Sequence, residues 1–431
     1  MNKEYRKDGK VLTKEAVLND DGSIRHKPEF ETEPVARIAL PIEQDIVNIH
    51  TAFTVGVEPK LSCTPNNDKE KELFSILKIV HKKNKLRYQN KQVVRSWLSE
   101  QEVAEYWFTV KETSFWKKVA AKLGFATQAE RRLKSVLWSP FRGDKLFPKF
   151  NREGDFVGIG REYTVKDDEK EEKFFMFIDD KKVFLWNLTN GVNLVMEFEH
   201  KFPKCPVIYA YRDSPLCEKI KTIRERLEET TSNFADCIDR NFFPYLILEG
   251  DYEGVPKKTG KSRTIKIENQ GKAYYLDWTQ TPEMIKLELD GLLEKAYSMT
   301  NTPRISFENL KGIGNAFSGK SFEFAFMGTN MAVDNHSETI GLFLQRRENF
   351  LVSAIGSVNT KYATAADTID VETEIQVYKI DDITQKITDA VSAISGGVAS
   401  KKTGVLMAGL VDEVEDEIEL IKEDEKGKIE Q

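Results

Sequence analysis

Residues 214–243 read SPLCEKIKTIRERLEETTSNFADCIDRNFF. Ser214 suits a helix cap and Pro215 a first helical position, because the N–H that proline lacks would be unpaired there anyway. Leu216, Ile220, Ile223, Leu227, Phe234 and Ile238 follow at spacings of four, three, four, seven and four, all on one face of a helix. The pattern predicts one amphipathic helix to about Phe242, roughly 40 Å long at ~1.5 Å per residue, and Pro244 ends it. Residues 245–278 then read as a small β unit. Tyr245–Glu249, Thr264–Ile267 and Ala273–Leu276 are its strand segments, and Asn269-Gln270-Gly271 is a turn. Thr281-Pro282-Glu283 repeats the capping pattern and opens a second helix carrying Ile285, Leu289, Leu292, Leu293 and Ala296, which stops before Asn301-Thr302-Pro303. Two helices thus flank a compact β module whose ends must lie close together, a stalk with a knob.

Upstream, residues 1 to about 33 lack helical or strand period and are expected to form an arm without a core. Ile42, Ile46, Val47 and Ile49 predict a short helix leading into Ala52–Val57 as a turn or strand. A second helix is expected over Asp68–Asn84, with Leu73, Ile76, Leu77 and Val80 on one face, and a third over Lys91–Ser99. Glu102–Val110 reads as an inner element. Residues 113–138, rich in Lys, Arg and Trp, suggest an inserted helical hairpin. Phe156–Val165, Lys173–Ile178, Lys182–Leu188 and Asn193–Glu199 are short alternating runs between turn signals, an antiparallel meander. Downstream, a helical pattern runs from about Ser321 to Gly356, with a kink expected near Gly328 or around Asp334–Ser337. A strand at Asp370–Tyr378 and helices at Asp382–Ile394, Ser400–Gly409 and from Asp412 to about Asp424 complete the chain.

One motif in this stretch has a second meaning. Gly314-Asn315-Ala316-Phe317-Ser318-Gly319-Lys320-Ser321 matches G-x-x-x-x-G-K-[ST], the loop with which P-loop nucleotidases hold phosphates. That loop needs a buried strand running into its first glycine and a βαβ pattern after it. Here Glu308-Asn309-Leu310-Lys311-Gly312-Ile313 is too polar for a central strand, and no alternating pattern follows. Gly158-Ile159-Gly160 lacks a third glycine. His26, His50, His81, His200 and His336 show no pairing with a serine or cysteine at catalytic spacing, so core or solvated roles are expected for them. Cys63, Cys205, Cys217 and Cys237 form no C-x-x-C pair and read as reduced, mostly buried thiols. Neither a catalytic residue, a cofactor nor a metal ligand is assigned.

The chain has 431 residues, 40% hydrophobic and 31% charged, enough for more than one core and typical of globular proteins. The longest apolar runs, 242–248 and 405–411, fall well short of the ~18 residues that would suggest a spanning helix, so no membrane association is expected. The charged N-terminus is followed by no apolar segment of a secretory signal, which points to the cytoplasm. The net charge of −6 is concentrated: residues 412–431 hold ten acidic residues against three lysines. The remaining body is therefore nearly neutral, which does not favour a single-protomer nucleic-acid clamp with a strong basic field.

The order of helix, small β unit, helix, Gly-rich loop and long helix resembles the portal proteins, or head-to-tail connectors, of tailed double-stranded-DNA bacteriophages. Ser232-Asn233-Phe234-Ala235-Asp236 lies where that family has a Ser-Asp-x-x-Asn-like patch. Phe317-Ser318-Gly319-Lys320-Ser321-Phe322 looks like its Ser-Gly-x-Ala-Leu-Lys entry to the long helix, with Lys320-Ser321 in place of Ala-Leu. Ile394–Ser400 and Asp412–Glu423 look like its C-terminal helices, and the insert at 113–138 has no counterpart. The resemblance implies an α+β portal fold divided into an N-terminal arm (1–34), a wing (35–214), stem helix 1 (215–243), a clip (244–280), stem helix 2 (281–300), a tunnel loop (301–319), a long helix and wing return (320–378), and a helical crown with an acidic tail (379–431). It implies a structural, non-enzymatic role: a homododecameric ring at one capsid vertex, assembled in the host cytoplasm and carried in the virion. The expected partners are sequence-independent double-stranded DNA, the terminase large subunit, a head-tail adaptor, and the major capsid and scaffolding proteins. Lys311, Gly312, Gly314, Asn315, Ser318, Gly319 and Lys320 would then form the DNA-facing loop, and the basic run of Lys257, Lys258, Lys261, Arg263 and Lys266 the partner-binding clip surface. Two other classes stay open on the residues alone: a P-loop nucleotidase using Gly314–Ser321, and an unrelated cytoplasmic scaffold with a helical stalk.

Overall fold

The computed structural model describes residues 37–112, 130–167, 170–241, 281–304, 326–376 and 383–410, with shorter pieces at 10–14, 17–18, 24–26, 29–32, 245–249, 252–253, 266–267, 272–276, 414 and 417–422. Residues 10–32 hold two small antiparallel pairs: β1 (Lys10–Lys14) with β4 (Glu29–Thr32), and β2 (Val17–Leu18) with β3 (Ile24–His26). The sequence predicts no regular structure there, because pairs this short rest on backbone hydrogen bonds and leave no hydrophobic period to read.

The helical layer comprises α1 (Ile42–Val55), then β5 (Lys60–Cys63), α2 (Asp68–Asn84) and α3 (Leu86–Glu100). α1 runs through the segment expected to leave the helix. Thr51 and Thr54 donate to the carbonyls of Val47 and His50 at 2.7 and 2.8 Å, and Phe53 and Val55 are buried, so tertiary burial overrides the low helix propensity of that run. α2 has the predicted bounds, and its start explains why. The Asn67 side chain accepts from the Glu70 N–H at 2.9 Å while the Glu70 carboxylate accepts from the Asn66 N–H at 2.7 Å, a reciprocal cap.

Next come β6 (Glu102–Glu112) and β7 (Glu130–Trp138). The helical hairpin expected over 113–138 is corrected from residue 130 onward; residues 113–129 lie outside the described residues. β7 pairs along its length with β6, and its alternation separates Leu133, Ser135 and Leu137 from Val136 and Trp138. The density of Lys and Arg masked that period-two pattern. A five-stranded antiparallel meander follows: β8 (Lys145–Phe150), β9 (Phe156–Asp167), β10 (Lys170–Asp179), β11 (Lys182–Asn187) and β12 (Asn193–Glu199), adjacent in that order. β13 (Val207–Tyr211) then pairs with the other edge of β6, giving the three-stranded order β13-β6-β7.

That three-stranded sheet is the middle layer, and period-two alternation divides its faces. Val103, Trp107, Leu133, Leu137, Ile208 and Ala210 point into the helical core. Ala104, Trp138 and Val207 point the other way, onto Leu146, Ile159, Ile178 and Val183 of the meander. Each large apolar side chain between layers removes on the order of 25 cal/mol per Å² of surface from water, so both cores hold the sheet from opposite sides.

The chain then forms a 3-10 turn, Leu216–Ile220, running into α4 (Lys221–Asn241). Ser214 makes no capping bond; Pro215 occupies the cap with extended backbone, and the tighter turn buries Leu216, Cys217 and Ile220 together. β14 (Tyr245–Glu249), β15 (Tyr252–Glu253), β16 (Lys266–Ile267) and β17 (Lys272–Leu276) pair as β14 with β17 and β15 with β16. α5 (Thr281–Met299) returns beside α4.

α6 (Met327–Val358) is the longest helix among the described residues, about 48 Å at ~1.5 Å per residue. Val333, His336, Ile340, Phe343, Leu344, Arg347, Leu351 and Ile355 form its buried stripe. Of the expected start at Ser321, residues 321–325 lie outside the described residues. A short helix, α7 (Ala363–Thr368), leads to β18 (Val371–Glu374), which pairs with β5. The Gln345 side chain extends that pairing, donating to the Val371 carbonyl at 2.6 Å and accepting from the Thr373 N–H at 3.0 Å. α8 (Ile383–Ser395) and α9 (Lys401–Ala408) form a C-terminal helical pair, closed at Gly409 (φ 62°), where a left-handed residue ends the helix.

Candidate functional site

Each half of the sequence-predicted stalk supplies one helix. α4 and α5 lie side by side, and Arg226 of α4 donates to Glu288 of α5 at 2.9 Å. β14 and β17, the segments that leave and re-enter these helices, pair in register from Tyr245 opposite Leu276 to Glu249 opposite Lys272. The ends of the β unit therefore meet, as the order of signals implies. Met284 and Leu287 of α5 are 72% and 76% exposed, and Ile238 of α4 is 43% exposed. Apolar side chains this open on an otherwise charged pair of helices form a face that no other described residue covers.

The lower part of α4 is clamped. The Ile38 N–H donates to Ser232 Oγ and the Leu40 N–H to Glu228 Oε1, both at 3.0 Å, so the strand-like lead into α1 lies across the helix. Arg224, almost fully buried, pairs with Glu43 at 2.8 Å and approaches Glu228 at 3.8 Å. Burial, then Glu228, Glu218 and Glu225, push the Glu43 carboxyl above its usual range.

The far end of α5 meets the start of α6. Asn301, left-handed at φ 53°, gives its carbonyl to the Thr329 hydroxyl at 2.8 Å. His50 Nε2 lies 3.0 Å from the Thr300 carbonyl and 2.9 Å from Thr302 Oγ1. The His336 ring centroid is 5.3 Å from that of His50 and 5.5 Å from that of Trp97. Burial pushes His50 down to about 4, with Arg212 adding repulsion; burial, then His50 and Arg212, push His336 down to about 3. Both imidazoles are neutral at pH 7. The two chain ends bounding residues 305–325 are thus pinned to one another and to α1.

A second buried polar group locks α6 to the sheet. Arg347 Nε donates to Glu105 Oε2 at 3.1 Å, Nη2 reaches the same oxygen, and Nη1 reaches Asn90 Oδ1. Burial pushes the Glu105 carboxyl up against the pull of that guanidinium. Glu348 accepts from His81 at 2.7 Å. Sequence reading missed Arg347, Glu105 and Arg212. The available signal was a charge at a core position: Glu105 among Val103, Ala104 and Trp107, and Arg347 in line with Phe343 and Leu351.

Of the predicted site residues, Lys311, Gly312, Gly314, Asn315, Ser318, Gly319 and Lys320 lie outside the described residues, as do Lys257, Lys258, Lys261 and Arg263. Lys266 lies in β16 opposite Glu253. Among the described residues every pairing between named strands is antiparallel, whereas a P-loop nucleotidase needs a parallel sheet. All four cysteines are free thiols. Among the described residues no helix is long and apolar enough to cross a membrane, and no group of His, Cys, Asp and Glu could hold a metal ion.

A family model described as "Phage portal protein, SPP1 Gp6-like" matches residues 1–431, the whole chain. The chain belongs to the phage portal family. Portal proteins are structural components of the phage particle, and this portal protein has its place in the virion. No curated protein matches the chain. Solved structures similar to this portal protein include the neck of an empty gene transfer agent particle computed with C6 symmetry, 11% identical, covering 86% of this chain and 91% of that one with a TM-score of 0.48. The virion of a native gene transfer agent particle is 11% identical over 86% and 89% of the two chains, with a TM-score of 0.40. The neck of a native particle computed with C12 symmetry is 11% identical over 86% and 90%, with a TM-score of 0.41.

Proposed function

We propose that this portal protein closes into a ring, expected to be a dodecamer, at one capsid vertex and conducts double-stranded DNA during packaging and ejection. In that ring, residues 215–243 and 281–300 are the stem, 244–280 the clip, 301–319 the tunnel loop, 35–214 with 320–378 the wing, and 379–431 the crown. The observation that carries this reading is the paired α4–α5 hairpin with Met284 and Leu287 exposed on it. A closed ring buries such a face against the next copy through a heterologous contact that returns on itself.

The charge distribution supports passage of DNA. The chain outside residues 412–431 is nearly neutral, so the walls hold phosphates weakly. Lys311 and Lys320, repeated around a ring, would form a sequence-independent and salt-sensitive band. The clip residues Lys257, Lys258, Lys261, Arg263 and Lys266 would face the terminase large subunit and later the head-tail adaptor, while the wing faces the major capsid and scaffolding proteins.

Negative-stain class averages of the purified chain test the ring, with a central hole expected. A chain that stays monomeric under assembly conditions sinks the reading. Charge removal at Lys311 and Lys320 together should lower DNA packaged per particle without changing the number of rings. Loss of an ATP hydrolysis activity in Lys320→Ala would return the nucleotidase reading.

A further inference from the structure

A cavity of about 430 Å³ opens where the end of β13, the turn before α4, the end of α5 and one side of α6 converge. Its wall is rich in donors. Arg212 lies with its guanidinium 4.8 Å over the Trp97 ring, and among the described residues its side chain has no ion pair and no hydrogen bond. Burial lowers its pKa. The side chain is half-buried with Nη1 shut off from water, and a charge partly desolvated without a counter-ion carries a cost that an anion would offset. His336, 6% exposed, makes no hydrogen bond through either ring nitrogen among the described residues, and the Trp97 indole N–H, on a side chain 3% exposed, also lacks a partner. Lys219, Asn335 and Thr339 complete the polar lining. Arginine, lysine and indole only donate. Among the described residues the one carboxylate of the wall, on Asp213, belongs to an exposed residue.

We propose that this cavity is a binding site for a single oxyanion group, a phosphate or a carboxylate. Arg212 supplies the planar fork that such groups accept, held in orientation by Trp97. Neutral His336 supplies one N–H, and Lys219 adds positive field. The volume exceeds many times the ~30 Å³ share of one water, so the anion enters with part of its hydration. The bound group would join α4, α5 and α6 at the junction where the chain enters and leaves residues 305–325. The site does not depend on the ring reading.

Calorimetric titration of the full-length chain with inorganic phosphate, and separately with acetate, at matched ionic strength tests this. Saturable binding of either is expected, phosphate alone pointing to a phosphate group and acetate alone to a carboxylate. Arg212→Gln should weaken binding by about tenfold or more, the scale of a lost charge-assisted contact. Thr339→Phe, which fills the cavity and keeps Arg212, should abolish it. It also serves if Arg212→Gln does not fold. No saturable binding of either anion at millimolar concentration, or equal affinity in Thr339→Phe, overturns the proposal.

Discussion

Arg347 shows how one side chain can hold two layers together. It is fully buried on α6, 242 residues along the chain from its partner Glu105 on β6. Removing only one member of a buried ion pair leaves an unpaired charge and typically costs ~3–5 kcal/mol, whereas replacing both with apolar residues is often neutral. Arg347→Met should therefore lose stability on that scale in urea titrations, and Arg347→Met with Glu105→Leu should recover much of it. The histidine pair gives a pH dependence with a defined sign. His50 and His336 have folded values of about 4 and about 3, below the unfolded 6.5. The unfolded chain binds protons first, so stability is complete above 6.5 and falls as the pH drops toward 4 and then 3. At pH 5 the loss is roughly 2 kcal/mol for each imidazole, from ~1.36 kcal/mol per unit. Urea midpoints between pH 7 and 5 should shift accordingly, and less in His336→Phe. Glu43, raised above 4.5 by burial, works the other way: its buried charge costs stability at neutral pH, and that cost is relieved as the pH falls through its raised folded value toward 4.5.

At the scale of elements, α6 carries two glycines with opposite expectations. At Gly341 a Cβ would meet nothing within 4 Å, while at Gly356 it would lie 2.6 Å from the Ala366 side chain of α7. Gly341→Ala should stabilise the isolated chain by up to ~1 kcal/mol through helix propensity. Gly356→Ala should destabilise it by about 1–3 kcal/mol through overpacking; thermal melts of the two variants separate these effects. The same elements show what the sequence makes legible. α2, α4, α5 and the meander strands β9 to β12 follow from spacing, because an unbroken helical or alternating period marks each of them. β7 and the end of α1 do not, because tertiary contacts override their local composition: charged residues interrupt the period of β7, and β-branched residues fill the last turn of α1. The side-by-side stalk was readable from paired Pro caps around a short β unit. The Arg212 cavity was not, since Trp97, Arg212 and His336 come from three distant segments and carry no shared motif.

For the whole molecule, the uncovered face of the α4–α5 hairpin is the surface on which assembly is expected to depend. Leu287→Asp with Met284→Asp should prevent ring formation in sedimentation velocity while leaving the helical circular dichroism of the single chain unchanged, since both side chains are largely exposed. Rings formed as readily by this double variant would place the contact elsewhere.

The pairing of β5 with β18 also affects the timing of biosynthesis. Cys63 lies opposite Val371, about 300 residues further on. At ~5–20 residues per second, a ribosome takes tens of seconds to deliver the second strand after the first. Before residue 358 is made the helical core lacks all or part of α6, and the nascent polypeptide cannot complete the shape that a neighbour would join. If the ring forms as proposed, joining a neighbour is expected to wait for α6 and β18, which favours recruitment of nearly finished or finished subunits. A stalled nascent chain ending near residue 340 should accordingly fail to incorporate into rings when mixed with full-length subunits.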